Sequence, residues 1–217
     1  MRKLILKMSL SVDGFVGGPN GEIDWLFGSM DDSAVQWIQN TLWEAGVHIM
    51  GSRTFHDMVA YWPTSTQPLA AAMNEIPKIV FSRKGVVELT NLTGTTQAIK
   101  DKIKIDNERG MIQPMARSPF ASSWTNPTVA SGELKAEIIK LKSQGGKPIL
   151  AHGGASFAQS LVSLGLIDEY RLVIHPVVLG HGLPLFSMTT FPTYLNLKSS
   201  TVFESGIIAN IYTPYKP

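Results

Sequence analysis

The chain has 217 residues, 44 % hydrophobic and 17 % charged, with a net charge of +2. That balance describes one folded domain over residues 1–217 and argues against a disordered chain. So small a charge, with no Lys/Arg stripe interleaved with aromatics, argues against a nucleic-acid partner. The lack of cysteine excludes a disulfide framework, a zinc ribbon and a thiol nucleophile.

The N-terminal MRKLILKMSL has the look of a signal peptide, but Lys7 interrupts the apolar run and Asp13 follows soon after. A buried strand from Leu4 to Leu10 is the better reading. No segment is apolar over the length a bilayer requires, so no membrane partner and a cytoplasmic location are expected. Ser11 to Met30 reads as a glycine-rich loop holding Asp24, Trp25 and Leu26. Asp31, Asp32 or Ser33 caps a helix whose apolar stripe includes Val35, Ile38, Leu42 and Trp43. Val47 to Met50 is a second strand; Gly51 turns the chain into a short helix ending near Tyr61. Lys78 to Phe81 is a third strand, closed by Ser82, Arg83, Lys84 and Gly85.

Thr93 to Ser123 is polar and lacks clear periodicity, which predicts an insertion, a lid or a mobile loop at about 93–123. Glu133 to Leu141 is a helix with Leu134, Ile138 and Leu141 inward, stopped by Gly145, Gly146 and Pro148. Pro148 to Ala151 is a strand running into His152, Gly153 and Gly154, and Ala155 to Leu164 is the next helix. Tyr170 to His175 is a strand, Pro176 to Leu185 a loop, and Tyr194 to Phe203 pairs with Ile207 to Tyr212 through Ser205 and Gly206. Alternating strands and helices predict an α/β fold, a largely parallel sheet with helices on both faces and an antiparallel C-terminal hairpin.

Three strand ends share one chemical character. After Gly51 the amides of Ser52, Arg53 and Thr54 open a helix unpaired, and with the helix dipole and the Arg53 charge they suit a phosphate. Ser82 with Arg83 and Lys84 offers a hydroxyl and two cations, as a phosphate monoester needs. Gly153 and Gly154, before Ala155 and Ser156, let a ligand approach the backbone. Each turn also has a bland reading, as an ordinary strand-to-helix turn or a solvated charged one. Parallel strands deliver their C-terminal ends to one edge, so together the three suggest a dinucleotide. His48, His56, His152, His175 and His181 lack metal-ligand spacing, and no metal is expected. His48 alternates within a strand as a structural residue does, while His152 and His181 sit near the site loops.

The blocks SLSVDGFVGGPNGEIDWL (9–26), IMGSRTF (49–55), IVFSRKG (79–85) and HGGASFAQSLVSLGLIDEYRLVIHPVVLGHGLPLF (152–186), in this order and spacing, give the chain a family resemblance. It resembles the dihydrofolate reductase superfamily, in the branch of the C-terminal reductase domain of the bifunctional riboflavin-biosynthesis deaminase/reductase. The resemblance implies a three-layer α-β-α fold and an NADPH-dependent reductase acting on a pterin-like or aminopyrimidine substrate. Gly51, Ser52, Arg53 and Thr54 match the family's pyrophosphate turn, and Ser82 and Arg83 the turn at the ribose 2′-phosphate. Gly153 and Gly154, with Ala155 and Ser156, match the glycine pair beside the nicotinamide, which the family joins by a cis peptide. Asp13 to Trp25 matches the flexible active-site loop, making Asp13, Gly14 and Trp25 the substrate-binding candidates.

The family's first-helix acid has no clear counterpart: Asp31 and Asp32 sit at or just before the helix start, and the aligned position is nearer Ser33. Asp13, Asp31 and Asp32 are the candidate proton donors, with a plain N-cap as the competing role for the latter two. A non-catalytic NADPH-binding module is the alternative function. The resemblance also implies a homodimer.

Overall fold

A computed structural model describes residues 1–85, 96–113, 122–189 and 191–215. Its frame is an eight-stranded sheet. The strands are β1 (Leu4–Ser11), β2 (Val47–Gly51), β3 (Lys78–Phe81), β4 (Thr128–Ala130), β5 (Ile149–His152), β6 (Glu169–His175), β7 (Leu195–Val202) and β8 (Ile208–Pro214). Their order in space is β4-β3-β2-β5-β1-β6-β8-β7, parallel from β4 through β6, with β8 antiparallel to both β6 and β7. The hairpin predicted from the sequence is therefore present. Its turn closes through Phe203 N–H to Ile207 O at 2.9 Å, with Gly206 at φ +83°.

Each central strand is buried on both faces, and side-chain alternation splits the core in two. Leu4, Leu6, Ile49, Ile149 and Ala151 point to one side, against Ile138 and Leu141 of α6 (Leu134–Ser143) and Ala158 and Leu161 of α7 (Ala155–Ser163). Ile5, Met50, Leu150 and Val80 point to the other, against Ile38 and Leu42 of α1 (Asp32–Trp43) and Phe55 and Val59 of α2 (Ser52–Tyr61). Also on that side are Met73 of α3 (Ala70–Glu75) and Trp124 of α5 (Ser122–Thr125). Trp124 is fully buried and satisfies its indole N–H on Asn74 Oδ1 at 2.7 Å.

The phase of α1 differs from the expected stripe. Asp31 is its N-cap, accepting from Ala34 N–H at 2.7 Å, and Ala34, Ile38, Thr41 and Leu42 become the inward face. Val35 and Trp43 lie about a third of a turn away; Trp43 is 37 % exposed. Arg171 of β6 holds the helix down through Thr41 Oγ1 (3.1 Å) and Glu44 (2.6 Å), and pairs with Glu169 at 2.8 Å.

The polar segment predicted as an insertion, a lid or a mobile loop holds α4 (Gln97–Glu108), which packs on α2; residues 93–95 and 114–121 of that segment lie outside the described residues. Asp106 of α4 is fully buried, accepting from Tyr61 Oη at 2.5 Å and pairing with Lys102 at 2.5 Å. Ala98 and Ile99 are buried near the start of α4 and the acidic Asp106 near its end, so the buried face mixes apolar and charged residues and leaves little hydrophobic periodicity in the sequence.

Candidate active site

The C-terminal ends of the parallel strands form one edge, and the sequence-predicted turns meet there. Gly51 is the N-cap of α2 and Gly154 the N-cap of α7; neither helix start receives a side-chain cap. The amides of Ser52, Arg53 and Thr54, and of Ala155, Ser156 and Phe157, thus open their helices without the usual carboxylate or hydroxyl acceptor. The two starts touch: a Cβ on Gly154 would lie 2.7 Å from Thr54 Oγ1. A Cβ on Gly51 would lie 3.4 Å from Phe157 Cβ, and the Phe157 ring stands 5.1 Å from Phe81 at the end of β3. Beyond Phe81, Ser82 is buried and donates its N–H to Ala130 O at 3.0 Å, while Arg83 and Lys84 are exposed. Arg53 is exposed on the same edge.

The Gly153–Gly154 peptide is trans, as are all peptides among the described residues, which corrects the cis bond that the resemblance implies. The chain reverses instead through Gly154 at φ +51°, a backbone open to glycine. Gly153 sits where a Cβ would come 2.8 Å from the Met8 methyl.

The loop after β1 is stapled to the segment after β6. Val12 N–H donates to Val177 O (2.8 Å), Val16 N–H to Leu183 O (2.9 Å) and Leu183 N–H to Gly17 O (2.9 Å). Gly182 permits this approach, since a Cβ there would fall 2.3 Å from Gly17 O. Asp13 accepts from Leu179 N–H (3.2 Å) and Gly180 N–H (2.7 Å). The Ser11 hydroxyl first, and then those amides, hold its carboxyl below the usual range. Gly14 turns the loop at φ +85°. Trp25, in a 3-10 turn over Asp24–Leu26, stands edge-on to His175 at 5.4 Å, and Ser29 Oγ bonds His175 Nδ1 at 2.7 Å.

The three candidate acids are not gathered. Asp31 caps α1, accepts from the Ser33 hydroxyl (2.6 Å) and also accepts from Ser205 N–H (2.8 Å), tying the C-terminal hairpin to the helix. The Ser33 hydroxyl and then the Ala34 and Ser205 amides keep its carboxyl far below the usual carboxylate range. Asp32 is exposed on the first turn of α1. Among the described residues no group of three or more potential ligands is placed to hold a metal ion.

What sequence reading passed over is the sheet face beneath α1 and α2. Lys78, His48, His152, Lys7 and His175 come from the adjacent strands β3, β2, β5, β1 and β6, and strand register puts all five on that face. Lys7 is the direct partner of His152, and His48 of Lys78. The His48 and His152 rings meet edge-on at 4.5 Å. Burial first, then the Lys78 charge, pushes His48 down to about 3; burial first, then Lys7, takes His175 to about 4. His152 is likewise pushed down, and burial lowers the Lys7 and Lys78 amines to about 8 and about 7. The available signal was one lysine in the middle of an otherwise apolar strand.

The family model of the RibD C-terminal domain matches residues 2–209. The uncharacterized protein YyaP of Bacillus subtilis (strain 168) is 29 % identical over 211 residues, covering 97 % of this chain and 94 % of its own. The deaminase/5-amino-6-(5-phosphoribosylamino)uracil reductase of Thermotoga maritima superposes with a TM-score of 0.63 at 15 % identity, over 99 % of this chain and 57 % of that one. The dihydrofolate reductase of Enterococcus faecalis, solved with NADP(H), gives a TM-score of 0.55 at 12 % identity over 99 % and 97 % of the two chains. Sheet order, hairpin and these superpositions show a dihydrofolate reductase-like fold, and the chain belongs to the RibD C-terminal domain family.

Proposed function

We propose that this protein is an NADPH-dependent reductase of the riboflavin-pathway type, transferring a hydride to a C=N or C=O group of a pterin-like or aminopyrimidine substrate. The observation that carries this reading is the contact between two uncapped helix starts, Gly51–Thr54 and Gly154–Ser156, beside the Ser82–Arg83 turn. Two such starts supply amide donors and positive dipole ends for a pyrophosphate. Arg83 would take the 2′-phosphate.

The cofactor, when bound, supplies the hydride. The protein's part is to orient and to exclude water. Gly153 and Gly154 offer backbone close enough for a planar ring; Asp13, by gripping Leu179 and Gly180, fixes the loop whose Gly14 and Trp25 would wall the substrate. Because the carboxylates of Asp13 and Asp31 are held ionised by amide and hydroxyl donors, neither is suited to deliver the proton, which in this reading falls to water. The same engagement favours the second reading, an NADPH-binding module without turnover.

Titration of the protein and of Arg83→Ala with NADPH and with NADH tests the proposal. The parent protein should prefer NADPH, and the variant should lose about tenfold in NADPH affinity alone, the worth of one charge-assisted hydrogen bond. Binding of neither nucleotide would leave only the fold. Turnover with any pterin or aminopyrimidine would exclude the module.

No described helix is long and apolar enough to cross a membrane, consistent with action in the cytoplasm. We also propose a homodimer. An open cavity of about 420 Å³, lined by Tyr170, Phe186, Phe191 and Leu195, lies on the α7 side of the sheet, away from the glycine turns. Phe191 (80 % exposed), Tyr194 (74 %) and Leu197 (56 %) extend it into an apolar patch suited to a second copy. Light scattering should give twice the monomer mass.

A further inference from the structure

The basic side chains under α1 and α2 are unequally satisfied: Arg171, on the same face by register, is fully paired with Glu169, Glu44 and Thr41, and the other five differ among themselves. Lys78 donates to Ile76 O and to Ser123 Oγ (3.1 Å) and lies 4.4 Å over the Trp124 ring. It fastens α5 to β3. Lys7 has no such role: among the described residues its hydrogen-bond partner is the Ser9 hydroxyl at 3.4 Å, and no carboxylate pairs with it. Beside it, His152 is 6 % exposed with Nε2 unpartnered, and His48 is fully buried with both ring nitrogens unpartnered. His175 Nε2 is also buried without a partner.

A half-buried amine without a counter-charge, bordered by unpaired imidazole nitrogens, leaves donors that a bound group of the right kind would satisfy. The same strands that carry this face end at the glycine turns, so Lys7 and His152 lie on the strand pair that leads to Gly153 and Gly154. The chemistry of the missing partner follows from what the face lacks. A neutral pyrimidine or pterin edge presents N–H donors that need an acceptor such as a carboxylate, yet the candidate carboxylates of Asp13 and Asp31 are bound to amides elsewhere. Lys7 offers only donors, and His152 donates from Nε2 in the matching tautomer.

We propose that Lys7, with His152 beside it, anchors an anionic oxygen, so that the hydride acceptor is an acidic heteroaromatic compound bearing a carboxylate or enolate rather than a neutral one. This rests on the reductase reading given above for the identity of the site. The Lys7 amine stays mostly protonated at pH 7 even though burial lowers it. His152, the register partner of Lys7 on β5, and His175, four residues along β6, are neutral there, while the register partner of Lys7 on β6 is Arg171, whose charge is paired with Glu169 and Glu44.

The test is calorimetric titration of NADPH-saturated protein with orotate and with pterin-6-carboxylate, each beside its uncharged carboxamide of the same shape. At least one carboxylate should bind tenfold or more tightly than its amide. Lys7→Met should abolish that preference, Lys7→Arg should keep part of it, and NADPH affinity should stay within twofold in both. Equal affinities within both pairs, no binding of either carboxylate, or a preference that survives Lys7→Met would each overturn the inference. Failure to bind NADPH would instead sink the reductase reading, and the same pairs titrated against cofactor-free protein would still decide whether the anion site exists.

Discussion

Replacing Gly154 with alanine tests the junction on which the cofactor edge depends. The residue sits at φ +51°, ψ 129°, and an added Cβ would lie 2.7 Å from Thr54 Oγ1 but 4.0 Å from Thr54 Cβ. Two penalties follow from that geometry. The backbone conformation costs a residue with a side chain about 1–3 kcal/mol, and the steric conflict adds about 1–3 kcal/mol unless Thr54 rotates away. A loss of about 2–6 kcal/mol in a domain of this size lowers the melting temperature by roughly 5–25 °C. Urea unfolding of the parent, Gly154→Ala, Thr54→Ala and the double variant separates the two causes. Removing the Thr54 hydroxyl should relieve the clash and leave the backbone cost, giving a coupling energy equal to the steric penalty, about 1–3 kcal/mol, between the sites. NADPH affinity of Gly154→Ala should fall by about tenfold, since the amides of α7 swing with their N-cap. A Gly154→Ala protein within about 0.5 kcal/mol of the parent, with no coupling to Thr54, would refute the proposed contact between the two helix starts.

Two further perturbations address the groups whose ionisation the fold controls. Asp31 has its carboxyl lowered from 3.8 by Ser33 and by the Ala34 and Ser205 amides, so its stabilising effect is complete above about pH 4 and fades as pH falls below it. Asp31→Asn should lower the melting temperature at pH 7 and flatten its decline in acid. His48 behaves in the opposite chemical sense but with the same direction in pH. It is buried neutral, lowered from 6.5 to about 3, so the unfolded chain takes up its proton first and stability is lost as pH falls below 6.5. Each such site contributes at most about 1.4 kcal/mol per pH unit in that window, so His48→Leu should shrink the stability gap between pH 7 and pH 5 by up to about 2 kcal/mol in urea titrations. An unchanged gap would show that His48 is hydrated or paired.

The α/β alternation, the strands at Val47, Lys78, Pro148 and Tyr170, and the C-terminal hairpin were readable because apolar period and turn residues are local signals. So were the turns at Gly51 and at the Gly153–Gly154 pair, though only Gly154, at φ +51°, takes a backbone that favours glycine, while Gly51 is extended at φ −75°. The 3-residue strand β4 and the 6-residue helix α3 were too short to show a period, and α4 is too polar. Tertiary structure alone decided that Asp31 is spent on α1 and the Ser205 turn, and that Gly154 rests on Thr54, 100 residues away along the chain. It alone also assembled Lys7, His48, Lys78, His152 and His175. Their partnership depends on the order β3-β2-β5-β1-β6, in which strands distant in sequence lie side by side. A local pattern fixes which face of its own strand a side chain takes, whereas its neighbours are set by which strands the folded sheet brings alongside.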